Sequence, residues 1–137
     1  MAIPEGFAPH TRRSPFTDPF EPLHARVGED YSLGTVLQSI HCNSRGLVHG
    51  GFLATLADNA MGLTCGLALG KQGRTVLGMV TVGLSIDYVG QAKVGDWLHT
   101  ESRVVKLGGS LGFMETRLVS GGAVVARANA TFKLRTG

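Results

Sequence analysis

The clearest pattern in the chain is a long apolar segment from Gly50 to about Leu69, whose periodicity predicts a helix. On a helical wheel one side of this segment is apolar, and the opposite side is small or polar. The apolar side holds Leu53, Leu56, Ala60, Leu63 and Leu67, and the other side holds Gly51, Thr55, Asp58, Gly62 and Cys65. We therefore expect the leucine side to pack against a sheet.

The second half of the chain alternates with a period of two, which predicts strands with one buried face. The apolar positions of the two clearest segments are Val80, Val82, Leu84, Ile86 and Tyr88, and then Val124, Ala126, Ala128, Ala130, Phe132 and Leu134. Gly108-Gly109 and Gly121-Gly122 interrupt this alternation where two-residue turns with positive φ are easiest to build. These features predict an antiparallel meander of three or four strands.

The N-terminal part has a different character. Residues 1–23 contain all five prolines and no apolar run, so we expect an irregular arm, followed by a single domain over residues 24–137. The span from His24 to Cys42 predicts one or two strands, broken near residues 28–32. A strand region, one long helix and a meander indicate an α+β domain in which an antiparallel sheet wraps one long central helix.

Charge and cysteine content exclude several functions. The net charge of +3 is spread along the chain, which does not favour a nucleic-acid partner. The two cysteines, Cys42 and Cys65, lack metal-ligand spacing, so we expect no metal site and reduced thiols. The N-terminus has no secretory signal, and the apolar segment carries Asp58 and Asn59. We therefore expect a cytoplasmic protein with no membrane partner.

The most informative stretch is Asn43-Ser44-Arg45-Gly46-Leu47-Val48-His49-Gly50-Gly51, which is followed seven residues later by Asp58. Gly50 and Gly51 at a helix start let a substrate approach the backbone, and the unpaired N–H groups there favour developing negative charge. This is the outline of an oxyanion hole. Two alternatives are that the glycines only ease the turn into the helix, or that this helix end binds a phosphate.

Asp58 is the only acidic residue between Asp30 and Asp87, in the middle of a helix with few polar neighbours. An unpaired carboxylate is costly to bury, so this residue either faces water or is retained for chemistry. Gly50 precedes it by eight positions, or about 12 Å along a helix axis, too far for both to act on one carbonyl group. If both act on one substrate, they belong to different subunits of a symmetric dimer.

The motif N-x-x-G-x-x-H-G-G-x-x-x-x-x-x-D, with Asp87-Tyr88-Val89 and Ala92-Lys93-Val94-Gly95-Asp96 downstream, closely resembles the hotdog-fold thioesterases of the phenylacetate-degradation (PaaI-like) type. The resemblance runs from about Cys42 to Phe132, and it implies that the α+β domain is a hotdog fold. It also implies an acyl-CoA thioesterase that acts as a homodimer or as a homotetramer of paired dimers.

The resemblance also implies the roles of individual residues. Asp58 is then the nucleophile or the general base for water, the Gly50 N–H forms the oxyanion hole, and Asn43 orients the thioester or the water. A hydroxyl on the strand after the helix assists in such proteins, and counting back from Ile86-Asp87-Tyr88 places Thr81 there. Strict alternation, however, puts Thr81 opposite the apolar face, which a bulge or the subunit interface can reconcile. His49 is a weaker candidate, since a histidine at a helix start is more often structural.

Other residues are candidates for binding the substrate. Gly51 permits close approach at the helix start, and Met61, with Leu84, is expected to line the acyl pocket. The expected contacts to the phosphates of coenzyme A are Lys71, Arg74, Lys93 and Lys106, each of which is otherwise an ordinary surface charge. Related proteins often carry a second basic residue shortly after the position of Lys106, where this chain has Gly109.

The predicted reaction is hydrolysis of an acyl-CoA thioester to a free acid and CoA, with no cofactor beyond the CoA of the substrate. Two other functions stay open at this stage: hydration or dehydration of an acyl thioester on the same fold, and non-catalytic binding of acyl-CoA. The sequence leaves the acyl group open between aryl and aliphatic, and it does not separate CoA from an acyl-carrier protein.

Overall fold

The computed structural model describes residues 3–137, which form one long helix and seven strands. The helix, α1, spans Gly50–Lys71, close to the predicted bounds. The strands are β1 (Ala8–Pro9), β2 (His24–Val27), β3 (Tyr31–Val36), β4 (Val76–Tyr88), β5 (Trp97–Leu107), β6 (Leu111–Ser120) and β7 (Ala123–Thr136). Short 3-10 helices lie at Asp18–Phe20 and Ser39–His41.

All strand pairs are antiparallel, in the order β1-β2-β3-β5-β6-β7-β4. The predicted break in the first strand region is confirmed, because residues 28–30 separate β2 from β3. The meander prediction holds only for β5, β6 and β7. Strand β4 does not pair with β5, its neighbour in the chain, but crosses to the far edge of the sheet and pairs with β7.

The sheet wraps α1, as the pattern predicts, but the buried side of the helix is wider than the leucine side. Leu53, Leu56 and Ala60 are buried as expected. Cys65, placed on the polar side by the helical wheel, is also fully buried, whereas Leu63 and Leu67 are only half-buried. The wheel was wrong here because a sheet that curves around a helix covers more than one stripe, and small residues allow it to approach closely.

A β-bulge in β4 changes which of its residues face the helix. Thr81 pairs with Phe132 and Gly83 with Thr131, so Val82 is an extra residue in the strand. On β7 the residues that face α1 are buried, and their partners on β4 are Met79, Thr81, Leu84, Ile86 and Tyr88. The predicted alternation over residues 80–88 is therefore wrong up to and including the bulge, where Val80 and Val82 are 64% and 57% exposed.

The two glycine pairs behave differently. Gly121 and Gly122 form the two-residue turn between β6 and β7 with φ of 58° and 77°, as predicted. Gly108 and Gly109 also lie in a hairpin connection, between β5 and β6, but neither has a positive φ. That connection has three residues, 108–110, so it does not need the mirror-image turn geometry that a two-residue loop requires.

Residues 3–23 lie against the domain. Strand β1 pairs with β2, and the 3-10 helix that ends at Phe20 places that ring 5.2 Å from the ring of Phe52 on α1. The backbone carbonyl of Phe20 accepts a hydrogen bond of 2.7 Å from Nε2 of the buried His41. We call residues 10–21 the N-terminal arm, and these contacts hold it beside the first turns of α1.

Helix α1 is long and apolar enough, by length and composition alone, to span a membrane. Half of its most apolar window is nevertheless buried inside the domain, and the core helix of a globular protein meets the same criterion. Within residues 3–137, no group of three or more His, Cys, Asp or Glu side chains is arranged to hold a metal ion.

Candidate active site

The side chain of Asp58 projects from the middle of α1 toward β4, where the hydroxyl of Thr81 donates a hydrogen bond of 2.8 Å to its Oδ1 atom. The bulge at Val82 makes this contact possible, because it turns Thr81 toward the helix together with Met79. Asp58 is only half-buried, less than its apolar surroundings in the sequence suggest. The contact occupies Oδ1, and Oδ2 makes no hydrogen bond within residues 3–137.

Asp58 lines a cleft of about 250 Å³, which we call the Asp58 cleft. Its walls come from three parts of the chain: the N-terminal arm, α1 and β4. The lining residues are Ser14, Phe16, Thr17, Ala54, Thr55, Asp58, Asn59 and Leu84. The prediction that Leu84 lies near the site is consistent with this arrangement, but the arm residues were not predicted, since nothing in an irregular proline-rich segment indicates where it packs.

At the start of α1 the glycine pair is held by its neighbours. His49 precedes the helix, and its Nδ1 atom accepts a hydrogen bond of 2.8 Å from the N–H of Gly51. The imidazole ring therefore caps the helix. Among the hydrogen bonds of residues 3–137, none uses the N–H of Gly50. That donor lies at the positive end of the helix dipole, where it can stabilise a developing oxyanion.

Asn43 organises the loop before the helix. Its Oδ1 atom accepts hydrogen bonds from the N–H groups of Arg45 at 2.9 Å and Leu47 at 3.2 Å. The side-chain NH₂ group has no acceptor within the described residues. Because the oxygen is committed to the loop, Asn43 can offer a substrate only hydrogen-bond donors.

Tyr88 is a site residue that the sequence reading did not single out. Its hydroxyl donates a hydrogen bond of 2.9 Å to the carbonyl of Gly50. A Cβ atom at position 50 would lie 3.2 Å from the tyrosine ring, a close contact that glycine avoids. The signal was present in the sequence, since Tyr88 is in the Asp87-Tyr88-Val89 segment of the motif and alternates in phase with Leu84 and Ile86.

Gly50, Asn43 and Tyr88 line a second cleft of about 220 Å³, which we call the Gly50 cleft. Its remaining lining residues are Arg45, Leu47, Val48, Leu53, Gly90 and Gln91. It shares no lining residue with the Asp58 cleft. Within one chain, therefore, the candidate carboxylate and the candidate oxyanion donors lie in separate clefts.

The other predicted binding residues are dispersed. Met61 is completely buried in the core and lines neither cleft. Lys93 is close to the Gly50 cleft, since its backbone forms an isolated antiparallel β-bridge with Leu47, which lines that cleft. Lys71 is the last residue of α1, and Arg74 lies just beyond it, where Arg74 donates a hydrogen bond of 3.0 Å to the carbonyl of Gly109. Lys106 is exposed beside a bulge on β5, in the hairpin that Arg74 contacts.

Three side chains near or behind these clefts, His41, Cys42 and Cys65, have shifted pKa values. Burial lowers the pKa of His41, partly offset by its hydrogen bond to the Phe20 carbonyl. Burial raises the pKa of the Cys42 and Cys65 thiols above the usual value. Both cysteines are therefore protonated at neutral pH, which makes them poor nucleophiles.

Comparison with known proteins identifies the family of the chain. Residues 45–131 match the family model of the thioesterase superfamily. The chain is 43% identical over 136 residues to "Putative esterase PA0474" of Pseudomonas aeruginosa, which covers 98% of both chains. It is 35% identical over 82 residues to human acyl-coenzyme A thioesterase 13, covering 58% of this chain and 54% of the human protein.

Solved structures extend the comparison to the fold. A mutant of the phenylacetic acid degradation protein PaaI from Thermus thermophilus superposes with a TM-score of 0.75 at 22% identity, covering 89% of this chain and 99% of that one. This likeness confirms the hotdog fold, with one long helix against an antiparallel sheet of seven strands. The chain belongs to the thioesterase superfamily, and it is a thioester hydrolase with the hotdog fold.

Proposed function

We propose that the protein hydrolyses acyl-CoA thioesters at a site shared by two subunits, with Asp58 as the nucleophile or general base and the partner's Gly50 N–H as the oxyanion hole. The observation that carries this proposal is the separation of the two clefts. The Asp58 cleft contains a carboxylate oriented by a hydroxyl, and the Gly50 cleft contains unused donors. Neither cleft alone has both parts that acyl transfer needs.

The edge of the sheet supports the dimer. Strand β4 is 13 residues long, pairs on one side only and contains no proline or lysine, the residues that often protect edge strands. Its exposed residues include Leu77, Val80 and Val82. Pairing of β4 with the β4 of a second copy about a two-fold axis reverses the strand direction. That arrangement brings the Gly50 end of one subunit toward the Asp58 cleft of the other.

The proposed reaction needs little acid catalysis. An oxygen nucleophile, either water deprotonated by Asp58 or Asp58 itself, bonds to the thioester carbon, and the carbonyl oxygen becomes an oxyanion held by the Gly50 N–H. The carbon–sulfur bond then breaks, and the electron pair leaves with the thiolate. A thiol has a pKa of about 8.5, so the thiolate departs without a strong general acid. If Asp58 attacks directly, water then hydrolyses the mixed anhydride.

The remaining site residues orient the reacting groups or bind the substrate. Thr81 fixes one oxygen of Asp58 and leaves the second for the reacting group. The free NH₂ group of Asn43 donates to the thioester or to the water. His49 contributes by capping the helix at Gly51, which leaves the Gly50 N–H for the substrate. Lys93, Lys71, Arg74 and Lys106 are proposed contacts for the phosphates of CoA, of which Lys93 is the one beside the Gly50 cleft.

We propose further that the enzyme acts in the cytoplasm as a homodimer or a pair of dimers, without a cofactor. A hydratase or dehydratase of acyl thioesters remains the alternative reaction on this scaffold. The capping role of the His49 ring favours hydrolysis, because a hydratase needs a second acid–base group beside the carboxylate.

The experiment is release of free thiol from aryl and aliphatic acyl-CoA substrates by the native protein and by Asp58→Asn, with the oligomeric state of both measured. We expect kcat/KM to fall by about 100-fold or more in the variant, the size typical of a lost acid–base or nucleophilic group. Asp30→Asn is the matched control, since it makes the same change at a carboxylate that lines neither cleft, and an amide oxygen can still accept the Ser102 N–H; its kcat/KM should stay within about twofold of native. Conversion of an enoyl-CoA without thiol release, or full activity in Asp58→Asn, contradicts the proposal.

A further inference from the structure

We infer that Phe16, in the N-terminal arm, is a specificity-determining residue that contacts the acyl group of the substrate in the Asp58 cleft. This inference rests on the proposed function, since it assumes that the thioester carbon reacts beside Asp58. The acyl group is then bonded directly to the reacting carbon, so it must lie within contact distance of the residues that share this cleft. Phe16 is the largest of those residues.

The size of the cleft limits what it can hold. Ligand pockets for whole small molecules typically enclose about 300–1,000 Å³. The open Asp58 cleft has a volume of about 250 Å³, which matches a fragment such as an acyl group better than a whole CoA thioester. Its apolar walls, Phe16, Leu84 and Ala54, match an acyl group better than they match phosphates.

Phe16 is more exposed than Phe20, the other phenylalanine of the N-terminal arm. Its side chain is 70% exposed, and its aromatic contact is the edge of Phe20, 6.3 Å away between ring centroids. Phe20 instead packs on Phe52 and His41, and it anchors the arm. Because Phe16 is not needed for that anchoring, its ring is available to cover an apolar ligand.

The turn that carries Phe16 is well fixed. The N–H groups of Thr17 and Asp18 both donate to the carbonyl of Ser14, at 3.2 and 2.9 Å, and the Ser14 and Thr17 hydroxyls are 3.0 Å apart. Arg13 and Asp18 form an ion pair of 3.0 Å across the same turn. Thr17 is buried. A turn held by these bonds presents the Phe16 ring at the cleft with little loss of entropy when a ligand binds.

Leu84, on β4, is the second large apolar residue that lines this cleft. A flat or branched apolar acyl group in this cleft would bury more apolar surface against these two side chains than an acetyl group, because it is larger. The arm therefore selects for larger apolar acyl groups. An aromatic acyl group gains more, because stacked or edge-on ring pairs contribute beyond their buried area.

The test compares kcat/KM for phenylacetyl-CoA with kcat/KM for acetyl-CoA in the native protein, Phe16→Ala and Phe16→Leu. We expect the ratio of the two values to fall by about 10-fold or more in Phe16→Ala, the size typical of a lost apolar contact in a specificity pocket. Phe16→Leu should retain most of the ratio. Phe113→Ala is the matched control, since Phe113 is a partly exposed phenylalanine on β6 that lines neither cleft, and its ratio should stay within about twofold of native.

The outcomes separate this inference from the proposed function. An unchanged ratio in Phe16→Ala, an equal loss with both substrates, or a change in oligomeric state overturns the inference while hydrolysis that depends on Asp58 still stands. Full activity in Asp58→Asn overturns the proposed function instead. If the native protein turns over neither substrate, calorimetry measures the binding of phenylacetyl-CoA to the native protein and to Phe16→Ala. Weaker binding by the variant supports the contact between Phe16 and the acyl group, and equal binding by both proteins overturns it.

Discussion

The Asp58 cleft and the Gly50 cleft both adjoin β4, but they are built in opposite ways. The Asp58 cleft joins distant parts of the chain, with residues 14–17 beside the middle of α1 and a bulged strand. The Gly50 cleft is built largely from one continuous stretch, residues 43–53, closed by Tyr88, Gly90 and Gln91. The first offers an acceptor of protons and the second offers only donors near Gly50. Each therefore supplies what the other lacks, and a local motif can encode the second far more directly than the first.

The largest effect should come from combining two inactive variants. Asp58→Asn damages the first cleft, and Asn43→Asp damages the second while keeping the oxygen that holds the loop. In a mixed dimer one shared site has both native halves. Random mixing of equal amounts should restore about a quarter of native thioesterase activity, from about 1% in each variant alone.

The measurement is thiol release after the two purified variants are mixed, dissociated and reassociated. Native protein treated in the same way is the control for loss during handling. If each site lies within one subunit, every chain in the mixture carries a defect and activity stays at the level of the single variants.

The next effect concerns Thr81. Removal of its hydroxyl in Thr81→Ala frees the Asp58 carboxylate to rotate, and we expect kcat/KM to fall by about 10-fold. Thr81→Ser keeps the hydroxyl and should stay within about threefold of native. Steady-state kinetics on one acyl-CoA checks both variants, and equal losses in the two would show that the methyl group, rather than the hydrogen bond, is what matters.

A smaller effect is expected at the other cleft. Tyr88→Phe removes the hydrogen bond to the Gly50 carbonyl but keeps the ring beside the glycine. The loss of one hydrogen bond of this kind costs about 1 kcal/mol, so kcat/KM should fall by about fivefold. The thermal midpoint should fall by only a few degrees. A loss comparable with that of Asp58→Asn would instead indicate that Tyr88 contacts the reacting group itself.

The smallest expected effect concerns His41, whose hydrogen bonds connect the parts of the chain that carry the two clefts. His41 bonds the arm through the Phe20 carbonyl, and its own carbonyl accepts the N–H of His49 beside Gly50. Burial is the main reason that the pKa of His41 is lowered in the folded state. Its unfolded pKa is close to the usual 6.5, so the unfolded chain binds the proton more readily. The contribution of neutral His41 to stability is therefore complete above about pH 6.5 and lost as the pH falls through the lower folded pKa.

Thermal unfolding between pH 7.5 and pH 5, the range of about one to two units around the histidine pKa, measures this contribution. The native protein should lose more stability on acidification than His41→Gln, which cannot titrate at this position. Parallel curves for the two proteins would assign the acid sensitivity to other groups.

Much of the Gly50 cleft was predictable from the sequence because its residues are neighbours in the chain. The glycine pair, the asparagine loop and the histidine before the helix form a local motif, and local hydrogen bonds explain each of them. The bounds of α1 follow in the same way from periodicity and composition, and so does the burial of alternate residues on β7, namely Ala126, Ala128, Ala130, Phe132 and Leu134. Tyr88 also lies in the motif and could have been identified from the sequence, whereas its hydrogen bond to Gly50 could not.

The tertiary structure alone decided the rest. The mismatch of Thr81 with strict alternation left a bulge and the subunit interface as two explanations, and only the structure shows that an extra residue at Val82 turns Thr81 toward Asp58. Nor could it show that Met61 is in the core while Phe16 reaches the cleft, because packing against distant elements settles both. The sequence determined which residues are chemically capable of catalysis, since that depends on side-chain type and local spacing. Contacts between elements far apart in the chain decided which of these residues meet.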